Sequence, residues 1–311
     1  LLNGRPVHLR GALHWGWYPE TLTPTPDAET VRAEFAKLRA MGFNLVKLCL
    51  FVPSQTYFDV ADEEGMLLWQ EFPLWLPDVT PDLRRRAPDE YRAIMALVQP
   101  HPSVALVSLG CELGRKVDAA FVQSLDEAVR GSAQGMLLCD NSGSGEAYGA
   151  QTADASDFYD YHFYCDLHYF DPLIDHFHRD WREQRPWIFG EFCDADDYRD
   201  LDDVRRAYSG RLPWWLTEPH PIHTGKLAYH EQEARVARLN LPYSHADLQA
   251  ISRRQSLMIR KVILEKTRAR SAVQGYVVTS IRQTGLASSS IFDDAMQPKY
   301  DADTFTQFNA D

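Results

Sequence analysis

The chain contains 311 residues, of which 45% are hydrophobic and 24% charged, and it carries a formal net charge of −12 at pH 7. This composition is typical of a soluble globular protein with a full core, and an acidic chain without a Lys/Arg-rich run is not expected to bind nucleic acid. No apolar stretch approaches the roughly 20 residues of a membrane span and no secretory signal is visible, so neither a membrane partner nor a particular compartment is predicted.

Segments with strand and helix patterns alternate along the first part of the chain. A strand at 8–15 follows the turn signal Asn3-Gly4. Pro26 then opens a helix whose apolar residues recur at helical spacing as far as Gly42. The next strands are predicted at 44–51, 67–72 and 104–109, and the helices between them at 57–64 and 88–98.

The alternation continues to residue 192 and then breaks. Asp118 caps a helix that stops before Gly131, and another helix begins at Asp171. The remaining strands are predicted at 136–140, 157–164, 186–192 and 274–280, and a long final helix at 246–268. The excursion at about 194–245 is long enough to be functional or to carry small elements of its own. Eight strands alternating with helices, without repeats or linkers, predict an α/β protein: a single-domain (β/α)₈ TIM barrel over 1–311.

Two of these strands end in a glutamate. Glu112 follows the apolar run of HPSVALVSLGCELG, and Glu191 stands in PWIFGEF. In barrels of parallel strands the chemistry lies at the carboxyl ends of the strands. Paired carboxylates across a barrel mouth are what cleavage of a glycosidic bond requires. For Glu112 alone, a surface glutamate in a tight turn is the alternative.

The five cysteines fall in or at the ends of predicted strands, so several of them are expected near the mouth: Cys49, Cys111, Cys139, Cys165 and Cys193. No pair has the spacing of a zinc motif, and an odd number argues against a complete disulfide set. Packing as small hydrophobic residues is favoured, with a metal site or a reactive thiol as the alternatives. No metal or other cofactor is predicted.

At this point several segments resemble one family, the catalytic barrel of glycoside hydrolase family two, which includes β-galactosidases, β-glucuronidases and β-mannosidases. The similar segments are NGRPVHLRG, MGFNLVKLC, FDVADEEGMLLWQEF, HPSVALVSLGCE, IFGEF and SIFDDAMQPK. The resemblance implies a carbohydrate substrate and a retaining exo-β-glycosidase. It also implies β-sandwich domains ahead of the barrel in a longer chain, which fits the abrupt start LLNGRPV.

The resemblance assigns Glu112 as the general acid/base and Glu191 as the nucleophile. The first role needs a raised pKa and the second an ionised carboxylate, so their environments are expected to differ. His162 and Tyr164 stand where the family places pocket residues, and the tyrosine is expected to donate a hydrogen bond to the nucleophile. His14 and Trp15 leave the first strand towards the same mouth, while Trp75, Trp214 and Trp215 are candidate stacking platforms. Core or rim packing is the alternative for each.

Two departures from the family pattern bear on activity. Cys111 replaces the family's asparagine, whose amide contacts the sugar 2-hydroxyl, and the eighth strand lacks the family's tryptophan and is followed by Arg282. An arginine there binds an acidic sugar or pairs with a loop aspartate. A non-catalytic or weakly active carbohydrate-binding relative is therefore the alternative function, and a metal-dependent barrel enzyme would require Cys and His ligands to converge. The sugar, the linkage and the oligomeric state are not predicted.

Overall fold

Eight parallel strands form a single sheet in the computed structural model, which describes residues 1–143, 155–180, 185–217, 229–285 and 287–310. The strands are Leu9–His14 (β1), Leu45–Leu48 (β2), Leu67–Glu71 (β3), Val104–Ser108 (β4), Leu137–Cys139 (β5), Tyr159–Phe163 (β6), Trp187–Phe192 (β7) and Val273–Val278 (β8). They lie in the order β5-β4-β3-β2-β1-β8-β7-β6. The Asp157 N–H donates to the Leu138 carbonyl at 2.7 Å, which links the two ends of the sheet. The predicted TIM barrel is confirmed.

The helices of the described ranges lie between the strands or follow the last one. They are Ala28–Ala40 (α1), Gln55–Glu64 (α2), Pro81–Val98 (α3), Ala119–Val129 (α4), Phe170–Asp180 (α5), Leu201–Ala207 (α6), Trp214–Thr217 (α7), Tyr229–Leu239 (α8), His245–Arg268 (α9) and Ala302–Asn309 (α10). As predicted, the Asp118 side chain caps α4 by accepting from the Phe121 N–H. None of the described helices is long and apolar enough to cross a membrane.

The start predicted for the third helix was wrong. Pro88, taken as its first residue, lies inside α3, which begins at Pro81 after the N-cap Thr80. The Thr80 side chain accepts the Leu83 N–H at 3.1 Å, and a proline at the first helical position loses no intrahelical hydrogen bond. This cap signal was present in the sequence.

Strand alternation separates two cores. Leu13, Leu45 and Trp69 belong to a cluster that fills the barrel, because successive side chains of a strand point to opposite faces. Their neighbours, such as Ala12 and Val46, belong to a larger cluster shared with the helices. The same alternation decides which strand-end side chains face the mouth of the barrel.

Within its described residues, 194–217 and 229–245, the excursion after β7 carries three short helices, α6, α7 and α8. Arg205 of α6 pairs with both carboxylate oxygens of Glu233 in α8, at 2.7 and 2.9 Å. Val204, Leu216 and Tyr229, one from each helix, form a small separate core. Trp215 of α7 packs against this core.

Candidate active site

The end of β4 is shaped to present Glu112. The Cys111 N–H donates to the Leu74 carbonyl at 2.8 Å and the Glu112 N–H to the Ser142 carbonyl at 2.7 Å, so the segment is held on both sides. A Cβ at Gly110 would lie 2.8 Å from Leu113 Cδ2 and 3.1 Å from the Leu74 carbonyl oxygen, so a larger residue would crowd this turn. Glu112 itself has a φ of 48°, a left-handed conformation uncommon for a residue with a side chain.

Glu191 reaches the mouth through an irregularity in β7. Phe189 and Phe192 both pack in the outer core, and the pairing register of β7 shifts between them. Glu191 therefore faces inwards, although strict alternation from Phe189 would turn it outwards. The Gly190 N–H donates to Asp160 Oδ1 at 2.6 Å. A Cβ at Gly190 would lie 2.2 Å from that carboxylate, so only glycine fits there.

The two predicted catalytic carboxylates meet at His162. One oxygen of Glu112, one of Glu191 and one ring nitrogen of His162 all lie within 4.8 Å of one another. His162 Nδ1 is 2.8 Å from Glu112 Oε1 and 3.6 Å from Glu191 Oε2. The Tyr164 hydroxyl donates to Glu191 Oε2 at 2.7 Å, and the Trp75 indole N–H donates to Glu112 Oε2 at 3.0 Å. The structure therefore brings together residues that the sequence placed on three different strands.

A buried ion-pair network that the sequence analysis missed lies below these carboxylates. Lys47 Nζ is 2.9 Å from Glu71 Oε1, 3.8 Å from Asp160 Oδ2 and 4.0 Å from Glu191 Oε1. It also donates to Ser142 Oγ at 2.7 Å. Lys47 and Glu71 are fully buried. The available signal was a charged residue inside each of two apolar strands, since such a charge needs a partner.

The charges around Glu191 shift its pKa and that of His162. Burial, helped by Glu71, raises the pKa of the Glu191 carboxyl in spite of the positive charges of His162 and Lys47. Burial alone would lower the pKa of His162, but the Glu191 charge and the hydrogen bond with Glu112 outweigh it and raise that pKa. The direction of the pKa shift at Glu191 is opposite to the expectation for a nucleophile, because burial, and to a smaller extent the charge of Glu71, disfavours the ionised carboxylate.

A cavity of about 560 Å³ opens above the two carboxylates. Cys49, Cys111, Glu112 and Glu191 line its floor, and Trp15, Trp17, Trp75, Trp214 and Trp215 are among its walls. Trp75 and Trp214 are 52% and 61% exposed, so each leaves an aromatic face open. Trp215 packs edge-on against Trp17 with ring centroids 5.3 Å apart, which ties the excursion to the end of β1. The aromatic candidates predicted from the sequence therefore line the cavity that contains the carboxylates.

His14 and Arg282 lie elsewhere, in an adjoining cavity of about 510 Å³ that shares the Trp15 and Trp17 walls. The expectation that His14 faces the mouth with Trp15 fails because adjacent side chains of β1 point to opposite faces. Arg282 pairs with both carboxylate oxygens of Glu20, at 3.0 and 2.5 Å. The loop carboxylate that it contacts is thus a glutamate rather than the expected aspartate.

His14 belongs to a second buried cluster. Its Nε2 is 3.3 Å from Glu34 Oε2 and 2.9 Å from the Tyr18 hydroxyl. The Tyr57 hydroxyl donates to the other oxygen, Glu34 Oε1, at 2.8 Å. Burial alone would raise the pKa of Glu34, but the His14 charge and the hydrogen bonds from His14, Tyr57 and Tyr18 lower it below its ordinary value.

All five cysteines are free thiols. Cys49 and Cys111 both line the cavity floor, where Cys111 and burial raise the pKa of the Cys49 thiol, and Cys49 Sγ donates to Glu191 Oε1 at 3.9 Å. Cys111, which replaces an amide in the resemblance, therefore faces the cavity. Cys and His side chains do converge here, because Glu71, Cys111 and His162 each place one ligand atom within 4.8 Å of the others.

No family model and no curated protein matches the chain. Solved structures do match. A GH2 β-galacturonidase from Eisenbergiella tayi bound to galacturonate superposes with a TM-score of 0.71 at 13% identity, covering 99% of this chain and 52% of that one. This chain shares its barrel fold with that family-two enzyme. The resemblance seen in the sequence is confirmed at the level of the fold.

Two further matches are similar. β-Glucuronidases from Parabacteroides merdae and Ruminococcus gnavus, the latter in complex with D-glucaro-δ-lactam, give TM-scores of 0.69 and 0.67 at 14% and 17% identity. Each covers 99% of this chain, which in turn spans 37% and 50% of theirs. The chain thus corresponds to about half or less of the length of these glycosidases.

Proposed function

We propose that the protein is a retaining exo-β-glycosidase that removes a non-reducing-end sugar, with Glu191 as nucleophile and Glu112 as general acid/base. The observation that carries this proposal is the approach of the two carboxylates, whose oxygens come within 4.8 Å of each other around His162. Retaining enzymes hold their carboxyl groups about 5–5.5 Å apart, whereas inverting enzymes leave roughly 6.5–9.5 Å for a water molecule.

The hydrogen bonds of the site suit a double displacement. Tyr164 holds Glu191 Oε2 at 2.7 Å, whereas Oε1 accepts a long, weak hydrogen bond from the Cys49 thiol at 3.9 Å. Oε1 is therefore the oxygen that attacks the anomeric carbon while Glu112 protonates the departing oxygen. Trp75 and His162 fix the two oxygens of Glu112. In the second half-reaction Glu112 takes a proton from the water that displaces Glu191. No step requires a metal or another cofactor.

The cavity supports a carbohydrate substrate in the active site. Its volume of about 560 Å³ lies within the range of small-ligand sites. Its walls offer aromatic faces, on which the apolar faces of sugar rings pack. The structural matches named above are glycosidases, which supports the same reaction class.

A panel of aryl β-glycosides tests the proposal. Wild-type protein should hydrolyse at least one of them with retention of anomeric configuration. Glu191→Gln should lose at least about 10⁴-fold in kcat on every leaving group, because no glycosyl-enzyme can form. Hydrolysis with inversion, or an unchanged rate in Glu191→Gln, contradicts the assignment.

A second variant separates the two roles. Glu112→Ala should retain turnover of substrates whose leaving group needs no protonation. Added azide should accelerate it, because this anion attacks the glycosyl-enzyme without a general base, displaces Glu191 and forms a glycosyl azide. Equal losses in the two variants on an activated aryl glycoside would contradict the division into acid/base and nucleophile.

One observation favours a second candidate, a carbohydrate-binding relative with little or no turnover. Cys111 offers only a weak donor where the resemblance places an amide that contacts the sugar. In that case sugars should still bind, and titration with monosaccharides monitored by tryptophan fluorescence should show saturation. The glycoside panel would then show no turnover above that of Glu191→Gln.

A further inference from the structure

Both ring nitrogens of His162 have a hydrogen-bond partner. Nδ1 lies 2.8 Å from Glu112 Oε1, and Nε2 lies 3.1 Å from Ser142 Oγ. The side chain of His162 is only 1% exposed, and Ser142 is fully buried. A Cβ on Gly143 would lie 2.6 Å from Nδ1, so this glycine leaves room for the ring. The imidazole is therefore held between the proposed acid/base and a buried hydroxyl group.

The neighbours of Ser142 determine which ring nitrogen carries a proton. Ser142 Oγ accepts a hydrogen bond from the Lys47 ammonium at 2.7 Å and donates its own proton to Asp160 Oδ2 at 2.5 Å. The other oxygen of Asp160 also accepts, from the Gly190 N–H at 2.6 Å. A serine hydroxyl has one proton and two lone pairs, so it can offer His162 only a lone pair. His162 Nε2 must therefore carry a proton and donate it to Ser142 Oγ.

The contact on the other side of the ring then needs one more proton. A neutral imidazole has a single N–H, and Nε2 holds it. Nδ1 would therefore present a lone pair to Glu112 Oε1, and two acceptors 2.8 Å apart repel each other unless a proton lies between them. This proton makes either Glu112 a carboxylic acid or His162 an imidazolium ion. In both forms one exchangeable proton is held in this hydrogen bond.

We propose that His162 is a positioning residue that keeps the general acid supplied with its proton, because the hydrogen bond between Nδ1 and Glu112 holds the proton that the leaving group receives. In the first half-reaction this proton moves to the departing oxygen as the glycosidic C–O bond breaks and Glu191 bonds to the anomeric carbon. In the second, water attacks that carbon, the bond to Glu191 breaks, and a proton of the water returns to the hydrogen bond. This catalytic use rests on the proposed function, whereas the shared proton does not.

The charges that face the ring favour retention of the proton. Nδ1 lies 3.6 Å from Glu191 Oε2, and Nε2 lies 3.9 Å from Asp160 Oδ2. Burial and the charge of Lys47 lower the pKa of His162. The charge of Glu191, the hydrogen bond with Glu112 and the charge of Asp160 outweigh both, so this pKa is raised. The pair should therefore keep its last proton to a pH above about 6.5, the ordinary pKa of histidine, whereas an isolated glutamate loses its proton near pH ~4.3.

Nitrogen-15 NMR of histidine-labelled protein tests the shared proton without reference to activity. We expect Nε2 of His162 to stay protonated at every pH at which the protein is folded, and the Nδ1 signal to follow the loss of one proton. In Glu112→Gln the midpoint of this change should fall by about one pH unit or more, because a nearby opposite charge shifts a pKa by about 1–3 units. The opposite tautomer, with a proton on Nδ1 and none on Nε2, would overturn the proposal, and so would an unchanged midpoint.

The pH dependence of kcat/KM tests the catalytic use. On a glycoside whose leaving group needs protonation, His162→Gln should move the alkaline limb of the profile down by about one pH unit or more, because Glu112 must then keep its proton alone. On an activated aryl glycoside the alkaline limb should stay in place. His168→Gln, the same substitution at an exposed histidine that follows β6, is the matched control and should keep the wild-type profile.

A second variant keeps the kinetic test valid if circular dichroism shows that His162→Gln is not folded. Ser142→Ala removes the acceptor of the Nε2 proton, so Nδ1 can carry the imidazole proton and the alkaline limb should again move to lower pH. An equal loss of kcat/KM on both substrates, without movement of the limb, would show that His162 is only structural. Protein without glycosidase activity would contradict the proposed function, and the NMR result would still decide whether the proton is shared.

Discussion

Two clusters on either side of Trp15 are built from the same residue types and differ in their electrostatics. The proposed catalytic cluster contains Glu112, His162, Tyr164 and Glu191, and the β1 cluster contains His14, Tyr18, Glu34 and Tyr57. Each combines glutamate, histidine and tyrosine within hydrogen-bonding distance. Yet the pKa of Glu191 is raised, whereas that of Glu34 is lowered.

The two carboxylates differ in the hydrogen-bond donors that contact their oxygens and in the other carboxylates that lie nearby. Both oxygens of Glu34 accept hydrogen bonds from tyrosine hydroxyls and one lies 3.3 Å from His14 Nε2, so its charge is stabilised. Glu191 shares its surroundings with Glu71 and with Glu112, which lies around the same histidine. Burial of carboxylates whose negative charge is not fully balanced by donors and positive charges costs stability and is typical of catalytic sites. The residue types alone do not distinguish a structural cluster from a reactive one.

Removal of Glu34 should have the largest effect on stability. Glu34→Ala leaves His14 and Tyr57 buried without their partner, so we expect a loss of about 3 kcal/mol in the free energy of unfolding at neutral pH. Because the folded pKa of Glu34 is lowered, its contribution is present above the unfolded pKa of about 4.5 and is lost as pH falls through the folded pKa. Urea titrations of wild type and variant should therefore converge in acid. A constant difference across pH would show that packing, not charge, is responsible.

Removal of the Glu191 charge should have the opposite sign. Glu191→Gln should stabilise the protein by about 1 kcal/mol, or roughly 2–4 °C in Tm, while abolishing turnover. The folded pKa of Glu191 is raised, so wild type loses stability as pH rises from about 4.5 through that pKa, and the advantage of the variant appears over the same range. Calorimetry of both proteins at acidic and neutral pH measures it. A lower Tm for Glu191→Gln at neutral pH would show that the folded protein stabilises the charge of Glu191 as it stabilises that of Glu34.

The aromatic wall should affect substrate binding rather than stability. Trp214 is largely exposed, so Trp214→Ala should raise KM for oligosaccharides about tenfold, or about 1.4 kcal/mol, and change KM for small aryl glycosides much less. Trp215 also contacts Trp17 and Tyr208, so Trp215→Ala should lower Tm as well. Steady-state kinetics on matched substrates provide the test. An equal rise in KM for both substrate types would place Trp214 at the cleaved sugar instead.

The smallest effect is expected at Cys111. Hydrogen bonds to the 2-hydroxyl strengthen in the transition state, and a thiol provides them poorly, so Cys111→Asn should raise kcat/KM several-fold on substrates with an equatorial 2-hydroxyl. Matched 2-hydroxy and 2-deoxy aryl glycosides measure this preference. If wild type already prefers the 2-hydroxy substrate by a thousandfold, roughly 4 kcal/mol, another residue has replaced the asparagine.

The barrel and the two glutamates were predictable because their signals are local. An apolar run, a glycine and a carboxylate define the ends of β4 and β7, and eight such strands define the fold. The proximity of Tyr164 to Glu191 also followed from its position at the end of a strand next to β7.

The floor of the site was not predicted, because its charges are paired across strands. Lys47 lies in β2 and Glu71 in β3, and neither has a local partner in sequence. Alternation does give their direction: Lys47 shares its face with Leu45 and Glu71 with Trp69, both inside the barrel. The same alternation of side chains along β1 would have placed His14 on the outer face, opposite to Leu13.

The uneven burial of the cysteines offers a way to label the barrel away from its mouth. All five lie in the described part of the chain, and Cys165 is the one that is only partly buried. Its pKa is raised to about 11 by burial and by Asp166, so alkylation calls for alkaline solution. Cys165 packs against the outer core and is not among the residues that line the cavity. A fluorophore attached to it would therefore sit outside the pocket and leave the site open to any ligand.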